Sequence, residues 1–312
     1  MGVPDRLPAV TPSTLRFAAP DGVGLGAWHW SPAAPRGAVL ICPATGVAAR
    51  YYLRYGNFLA SRGYAALALD YRGIGLSRPA RLAGFRATKF DWGNLDCEGA
   101  LRQLQALHPG LPLYGVGHSI GGFAIGLAPS AARLRRLFLV GSQYAYWRDY
   151  AAPVRLPYFL KWHFFMPLAA GLLGYFPGRC LGWLEDLPRG VALEWGTRYH
   201  PDFRRFYRWL PHAVPPAPPE ALAERLAAFR GEILAFAMAD DPYATEAATW
   251  RLLAWYRGGR ACCARLAPAS VPEGTVGHFG FFHDRFRERL WPGSLEWLER
   301  GSAPWPVSVA GV

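Results

Sequence analysis

Apolar and polar positions along the 312-residue chain follow two different patterns, an alternating one and one of continuous apolar runs. In residues 14–18 and 25–30 they alternate on either side of an Asp21-Gly22 turn, which predicts a hairpin at the edge of a sheet. From residue 37 the apolar positions instead form continuous runs of strand length, at residues 37–42, 65–70, 113–119 and 134–142. Helices are predicted between these runs, near residues 51–61 and 91–107 and from Gly121 onwards. Strands buried on both faces that alternate with helices predict a parallel sheet with right-handed crossovers.

This alternation stops after Ser142. Residues 143–219 are rich in aromatic residues and proline and contain no clear strand. The alternation then resumes with strands at 231–241 and 261–267, a helix at 245–256 and a final helical part at 282–299. We therefore predict one α/β core, formed by residues 1–142 and 220–312, with residues 143–219 inserted as a helical cap.

The most hydrophobic part of the predicted cap is residues 158–176. A transmembrane helix needs about 20 apolar residues, whereas this run contains Lys161, His163 and Pro167. We interpret it as a helical cover over a pocket. A surface that lies against a membrane is the alternative, and a membrane span is the least favoured reading.

The net charge of +12 comes almost entirely from arginine, since Lys89 and Lys161 are the only lysines. The arginines are scattered along the chain, and no zinc-finger spacing, basic helix or RNP-like stretch accompanies them. We therefore predict no nucleic-acid partner, although the charge favours anionic substrates or an anionic membrane surface.

The five cysteines are odd in number and form no C-x-x-C, so they are predicted to be reduced thiols. The N-terminus lacks the apolar run of a signal peptide, which favours a cytoplasmic location. In the loop at residues 70–77 only G-x-G is present, too little for a dinucleotide-binding fingerprint. No metal and no cofactor are predicted.

The strongest chemical motif is a G-x-S-x-G, Gly117-His118-Ser119-Ile120-Gly121, between an apolar strand and a helix. The turn from strand to helix is so sharp that the serine takes a strained conformation and exposes its hydroxyl. A Cβ at either glycine would collide with the neighbouring strand or helix. The motif predicts that Ser119 is a nucleophile.

A serine nucleophile needs a histidine base and an orienting carboxylate, which follow it along the chain in this type of fold. His278 lies in a glycine-flanked loop after the last predicted strand and is preferred over His283, which is expected in a helix. Asp240 and Asp241 end the strand at 231–241, so both carboxylates emerge at the carboxyl edge of the sheet. One is expected to orient His278 and the other to cap a turn or the next helix.

The oxyanion formed by such a reaction needs two backbone donors. One is expected from the N–H of Ile120, after the nucleophile, and the second from the loop after the first parallel strand. That loop reads Cys42-Pro43-Ala44-Thr45-Gly46, and the N–H of Thr45 or of Ala44 is the candidate.

Four motifs resemble the α/β-hydrolase superfamily in the same order along the chain: D-Y-R-G-I-G-L-S (70–77), G-H-S-I-G-G (117–122), D-D-P-Y-A-T (240–245) and G-H-F-G-F-F (277–282). They look most similar to bacterial hydrolases of the serine aminopeptidase-like and monoacylglycerol-lipase-like group. The resemblance implies an α/β-hydrolase fold with a cap, and it implies that Asp241 rather than Asp240 is the acid. One departure is Pro43-Ala44-Thr45-Gly46, where many members have His-Gly-x-Gly.

The predicted cap is dense in aromatic residues, and Tyr144, Trp147, Trp162 and Phe165 are the candidates to bind substrate. Apolar walls suit an apolar acyl or alkyl group. We therefore expect a hydrolase that cleaves a hydrophobic carboxylic ester or thioester through a Ser-His-Asp triad and an acyl-enzyme. The alternatives are an aminopeptidase-like amide hydrolase and a non-catalytic module that binds a lipid or a partner protein.

Overall fold

The computed structural model describes residues 10–198, 200–214 and 217–309. The strands of these residues are β1 (Ser13–Ala18), β2 (Gly24–Trp30), β3 (Gly37–Cys42), β4 (Tyr64–Asp70), β5 (Leu113–His118), β6 (Leu134–Val140), β7 (Tyr175–Phe176), β8 (Leu187–Pro188), β9 (Glu232–Met238), β10 (Arg260–Leu266) and β11 (Val307–Val309). All eight strands predicted from the apolar pattern are present. The three additional ones are only two or three residues long, too short to leave a period in the sequence.

Nine of these strands form one sheet in the order β1-β2-β4-β3-β5-β6-β9-β10-β11. The six strands from β4 to β10 pair in parallel, whereas β1, β2 and β11 pair antiparallel at the edges. The prediction of a mostly parallel sheet with an N-terminal hairpin at its edge is confirmed. Strand β5 lies in the centre, so its carboxyl end is flanked by the ends of β3 and β6.

The α-helices are α1 (Leu53–Ser61), α2 (Lys89–Asp91), α3 (Glu98–Leu107), α4 (Gly121–Leu127), α5 (Arg155–Tyr158), α6 (Met166–Leu173), α7 (Arg189–Thr197), α8 (Arg204–Tyr207), α9 (Pro219–Ala228), α10 (Glu246–Leu253) and α11 (Arg287–Arg300). A π-helical stretch, Trp92–Cys97, joins α2 to α3, and a second, Phe159–Phe165, joins α5 to α6. His283, expected inside a helix, instead has an extended backbone between two short 3₁₀ turns.

The sheet separates two apolar cores. On one face, alternate strand residues such as Val39, Ile41 and Phe236 pack against α1 and α11. On the other face, Leu40, Leu137 and their neighbours pack against α3, α4, α9 and α10. Because both faces are covered, the central strands are apolar at most positions, which explains why they read as continuous runs.

Residues 143–219, called here the insertion segment, connect β6 to α9. The prediction of no strand in this segment was wrong, because β7 and β8 form a two-residue antiparallel pair. The rest consists of short helices and turns whose buried side chains join the core on the α4 face. In the part of the chain that the structure describes, no helix is both long and apolar enough to cross a membrane.

Candidate active site

Ser119 follows β5 directly and has a left-handed backbone conformation, with φ of 55°. A Cβ on Gly117 would lie 2.6 Å from the backbone nitrogen of Gly122, and one on Gly121 would lie 2.1 Å from the carbonyl oxygen of Cys42. Both distances are far below van der Waals contact, so only glycine fits at these two positions. The crowding forces the sharp turn expected from the G-x-S-x-G motif, and α4 begins immediately after it.

Asp241 and His278 lie side by side at the same edge of the sheet. The Oδ2 atom of Asp241 is 2.7 Å from Nδ1 of His278, and both side chains are buried. The other carboxylate oxygen of Asp241 accepts hydrogen bonds from the backbone N–H groups of Tyr243 and Ala244. Burial by itself raises the pKa of Asp241, but the charge and the hydrogen bond of His278 outweigh it, so the pKa lies below the usual value. The carboxylate therefore stays ionised beside the imidazole.

The carboxylate of Asp240 is bound not to this pair but to the backbone of the loop that carries His278. Its Oδ2 atom accepts hydrogen bonds of 3.1 Å from the N–H groups of Val276 and Gly277. These bonds tie the end of β9 to the residues just before His278. The adjacent acids thus have different environments: Asp241 contacts the imidazole, and Asp240 anchors the loop that carries it.

The N–H of Ser119 donates to the carbonyl of Val140 at 2.9 Å, which places the serine next to Gly141 at the edge where the Asp241–His278 pair lies. The Ser119 hydroxyl is not hydrogen-bonded to that pair. Among the described residues, the side chain that hydrogen-bonds the Ser119 hydroxyl is Gln143, whose Nε2 donates to Oγ at 3.4 Å. Loose contacts between nucleophile and base are common in structures without substrate. Gly141 lies against the pair, since a Cβ there would be 3.0 Å from Oδ2 of Asp241 and 3.2 Å from Nδ1 of His278.

A buried chain of hydrogen bonds links three loops around Ser119. The backbone N–H of Ala44 donates to the hydroxyl oxygen of Tyr52 (2.9 Å), which lies 2.7 Å from Nδ1 of His118. The other ring nitrogen of His118 lies 2.9 Å from the carbonyl oxygen of His278. Because a carbonyl only accepts, Nε2 of His118 carries the proton and Nδ1 accepts from Tyr52. Burial, with a further contribution from the nearby His278, lowers the pKa of His118 to about 3, so this imidazole is neutral.

The candidate oxyanion donors differ in their availability. The Ala44 N–H is occupied by Tyr52, which contradicts its prediction as a donor. In the described residues, no hydrogen bond engages the backbone N–H of Thr45 or of Ile120. The hydroxyl of Tyr71 donates to the carbonyl of Pro43 at 3.3 Å and so stabilises the loop that carries Thr45. Thr45 and Ile120 therefore remain the two available donors.

The four aromatic candidates in the insertion segment occupy different depths. Tyr144 is buried against Phe123, and Trp162 is buried in a stack on Trp195, with its Nε1 unpartnered among the described residues. Trp147 is half-buried. Phe165 is 41% exposed, which places much of its ring on the surface rather than in an enclosed pocket.

One aromatic residue that the sequence did not single out lies next to the histidine. The ring centre of Tyr243 is 4.8 Å from that of His278. Tyr243 also stacks on Tyr158 of the insertion segment, with 4.6 Å between the ring centres. The insertion segment therefore extends to the immediate neighbourhood of His278.

Three further residues of the site were missed in the sequence: Tyr52, His118 as a hydrogen-bonding group, and Gln143. His118 belongs to the motif, but its buried partners are distant in sequence. Neither Tyr52 nor Gln143 has a spacing signature. Within the described residues, no group of three or more His, Cys, Asp or Glu side chains could hold a metal ion.

The family model described as serine aminopeptidase, S33, matches residues 33–254, more than two thirds of the chain. The chain belongs to this hydrolase family. The superfamily inferred from the four motifs is thereby confirmed, and the protein is an α/β-hydrolase enzyme. A search of curated protein sequences gives no significant match.

Solved structures of similar fold include esterases and a monoglyceride lipase. A soluble variant of monoglyceride lipase from Saccharomyces cerevisiae, bound to a substrate analogue, gives a TM-score of 0.63 at 15% identity and covers 97% of this chain and 99% of its own. An esterase from Pyrococcus furiosus gives 0.58 at 13% identity, covering 93% and 91%. A thermostable carboxyl esterase from Bacillus coagulans gives 0.56 at 16% identity, covering 93% and 98%. At such low identity these likenesses establish the fold.

Proposed function

We propose that this S33-family hydrolase cleaves hydrophobic carboxylic esters or thioesters with Ser119 as nucleophile, His278 as base and Asp241 as the orienting acid. The observation that carries the proposal is the buried Asp241–His278 pair, at 2.7 Å, beside a serine held in a left-handed elbow. A non-catalytic module would have no need to keep an ionised carboxylate buried against an imidazole, because isolated buried charges are costly.

The chemistry follows from this arrangement. The hydroxyl of Ser119 attacks the ester carbonyl while its proton passes to Nε2 of His278, and Asp241 stabilises the imidazolium that forms. The N–H groups of Thr45 and Ile120 hold the negative oxygen of the tetrahedral intermediate. His278 returns the proton to the departing alcohol or thiol, leaving an acyl-enzyme. Water, deprotonated by His278, then releases the carboxylic acid and restores the serine.

The charges around the site favour an ester over a peptide with a free amino terminus. An amino group would need a carboxylate, and the insertion segment carries two adjacent acids, Glu185 and Asp186. Glu185 pairs with Arg50 and Arg179, and Asp186 pairs with Arg78. An ammonium group would have to displace these arginines, so the aminopeptidase alternative is disfavoured.

Residues 143–219 act, in this proposal, as a cap that supplies the acyl pocket. Its support is the stacking of Tyr158, in this segment, on Tyr243, whose ring in turn lies against His278. Each methylene buried in such a pocket contributes about 0.8 kcal/mol, close to fourfold in kcat/KM. We expect kcat/KM for p-nitrophenyl esters to rise from acetyl to a medium-length acyl chain. Activity restricted to alanine and proline p-nitroanilides would establish the aminopeptidase instead.

The outer surface of this cap supports the further proposal of peripheral membrane contact. Helices α5 and α6 and the π-helical stretch between them form one continuous helical run, Arg155 to Leu173. Five large apolar residues spaced by four are each at least half exposed along it: Leu156, Leu160, Phe164, Leu168 and Leu172. Arg155 and Lys161 lie in the same run, and no acidic residue occurs between Asp149 and Glu185. An exposed apolar face with basic residues is complementary to an anionic bilayer, whereas two copies of it would bring like charges together.

Vesicle co-sedimentation tests the membrane proposal. The protein should bind vesicles rich in phosphatidylglycerol more strongly than phosphatidylcholine vesicles, and a Leu160→Glu, Phe164→Glu double variant should lose that binding. Leu107→Glu is the matched control, because Leu107 is an exposed leucine on α3, outside the insertion segment. No vesicle binding by the wild type would overturn the proposal. A dimer in sedimentation velocity that the double variant dissociates would instead identify this face as a contact between copies of the chain.

A further inference from the structure

Gln143 is held rigidly next to the nucleophile by the backbone around it. It lies just beyond β6, between Gly141 and Ala145, which both have left-handed backbones with φ of 55° and 67°. The hydroxyl of Ser142 donates to the carbonyl of Gly117 at 3.0 Å and fixes the segment to the elbow. A left-handed alanine is strained and persists only where its surroundings impose it. The position of the Gln143 side chain is therefore set by the fold.

The two ends of the Gln143 carboxamide have different environments. Nε2 donates to the Ser119 hydroxyl oxygen, whereas Oε1 is buried and, among the described residues, has no hydrogen-bond partner. In this orientation the Ser119 oxygen accepts from the amide, so the hydroxyl proton is not used by Gln143. An unpaired buried amide oxygen is costly, and the cost is recovered when a ligand supplies a donor.

A substrate bound at Ser119 lies next to this carboxamide, because its other end touches the Ser119 hydroxyl, so a donor group of the substrate can pair with Oε1. The charges nearby select its kind. The guanidinium of Arg198 lies 4.4 Å over the ring of the adjacent Tyr144. The carboxylate next to it, Glu194, is bound to Arg198. Because Glu194 is already paired, this pair offers no free carboxylate to an ammonium donor, whereas a neutral hydroxyl needs none.

We propose that Gln143 is a specificity-determining residue that recognises a hydroxyl group on the substrate, close to the scissile ester carbonyl. The hydroxyl belongs either to the acyl side, as in a hydroxyacyl ester, or to the alcohol side, as in a monoester of glycerol. This inference rests on the proposed ester hydrolysis, and it narrows the substrate from any hydrophobic ester to a hydroxylated one.

Two matched substrate pairs test the inference on the purified full chain. The acyl pair is p-nitrophenyl butanoate against p-nitrophenyl 3-hydroxybutanoate, and the alcohol pair is propyl butanoate against glycerol monobutanoate. For one pair, the wild type should favour the hydroxylated member by about tenfold or more in kcat/KM, the usual scale for satisfying one buried acceptor. The pair that shows the preference identifies the side of the ester that carries the hydroxyl.

The Gln143→Leu variant should lose this preference, so that the ratio of kcat/KM between the two members approaches one. The ratio is the decisive readout because Gln143 also touches Ser119 and its loss can change both rates together. Gln103→Leu on α3 is the matched control and should keep the wild-type ratio. Gln143→Asn, which shortens the side chain by one methylene, serves as a second variant if the leucine form does not fold.

The outcomes separate this inference from the proposed function. Equal kcat/KM within both pairs in the wild type, or an unchanged ratio in the folded Gln143 variants, overturns the role of Gln143 while ester hydrolysis stands. Hydrolysis of none of the four esters, together with no labelling of Ser119 by a fluorophosphonate, rejects the proposed function itself.

Discussion

The neutral, buried His118 makes the protein lose stability as the pH falls. Its pKa is about 3 in the folded protein and 6.5 in the unfolded chain. Below pH 6.5 this histidine therefore binds a proton in the unfolded chain but not in the folded protein, and the free energy of unfolding decreases. One pH unit corresponds to about 1.4 kcal/mol, so lowering the pH from 7.5 to 5.0 should remove about 2 kcal/mol through His118 alone.

A His118→Gln variant isolates this contribution from that of other titrating groups. Its amide can still donate toward the carbonyl of His278 but does not titrate. At pH 7.5 the variant should be less stable than the wild type by about 1–3 kcal/mol, because the acceptor for the Tyr52 hydroxyl changes. Between pH 7.5 and 5.0, however, it should lose about 2 kcal/mol less than the wild type.

Urea unfolding followed by tryptophan fluorescence at the two pH values measures both losses. The difference between the two proteins is the informative quantity, since the half-buried His29 and His163, whose pKa values are also lowered, titrate alike in both. Equal losses for wild type and variant would mean that His118 is not the neutral link between Tyr52 and His278 that the hydrogen bonds indicate.

Further substitutions test separate parts of the site. Asp241→Asn should lower kcat by roughly ten-thousandfold, as loss of the orienting carboxylate does in serine proteases. Asp240→Asn should reduce kcat far less and mainly lower the melting temperature. The reverse ranking would mean that Asp240 orients His278 and Asp241 anchors the loop. Tyr52→Phe should lower the free energy of unfolding by about 1–3 kcal/mol, because the Ala44 N–H and a histidine nitrogen lose their partner, and an unchanged urea midpoint would contradict the observed hydrogen-bond chain. Gly121→Ala should abolish activity or folding, because its Cβ would lie 2.1 Å from a backbone carbonyl. Its matched control Gly171→Ala, in open space on α6, should be neutral or slightly stabilising in a melting curve.

The features that the sequence predicted well are those with a local cause. The central strands were found because a strand buried on both faces is largely apolar, as in β3, where every residue from Gly37 to Cys42 is buried. The proximity of His278 to the acidic pair could be predicted because loops at the carboxyl ends of parallel strands meet at one edge. The strands β7, β8 and β11 were missed because two or three residues carry no measurable period.

The features that were missed depend on contacts between distant residues. Ala44 was predicted as an oxyanion donor, but the hydroxyl of Tyr52, eight residues further along, occupies its N–H. Gln143 reads as an ordinary polar residue after a strand. Its contact with Ser119 depends on the left-handed conformations of Gly141 and Ala145, which the fold imposes and which the alanine itself disfavours.

Labelling with a fluorophosphonate probe tests the central claim most directly, because the probe reacts with a serine only when a base activates it. The wild-type protein should carry one adduct, located by peptide mass spectrometry on Ser119, and should lose ester hydrolysis in parallel with labelling. Ser119→Ala should take up no probe and lose on the order of a millionfold in rate, while its far-ultraviolet circular dichroism stays that of the wild type. Near-wild-type turnover by the purified Ser119→Ala protein, or labelling at another serine, would contradict the account.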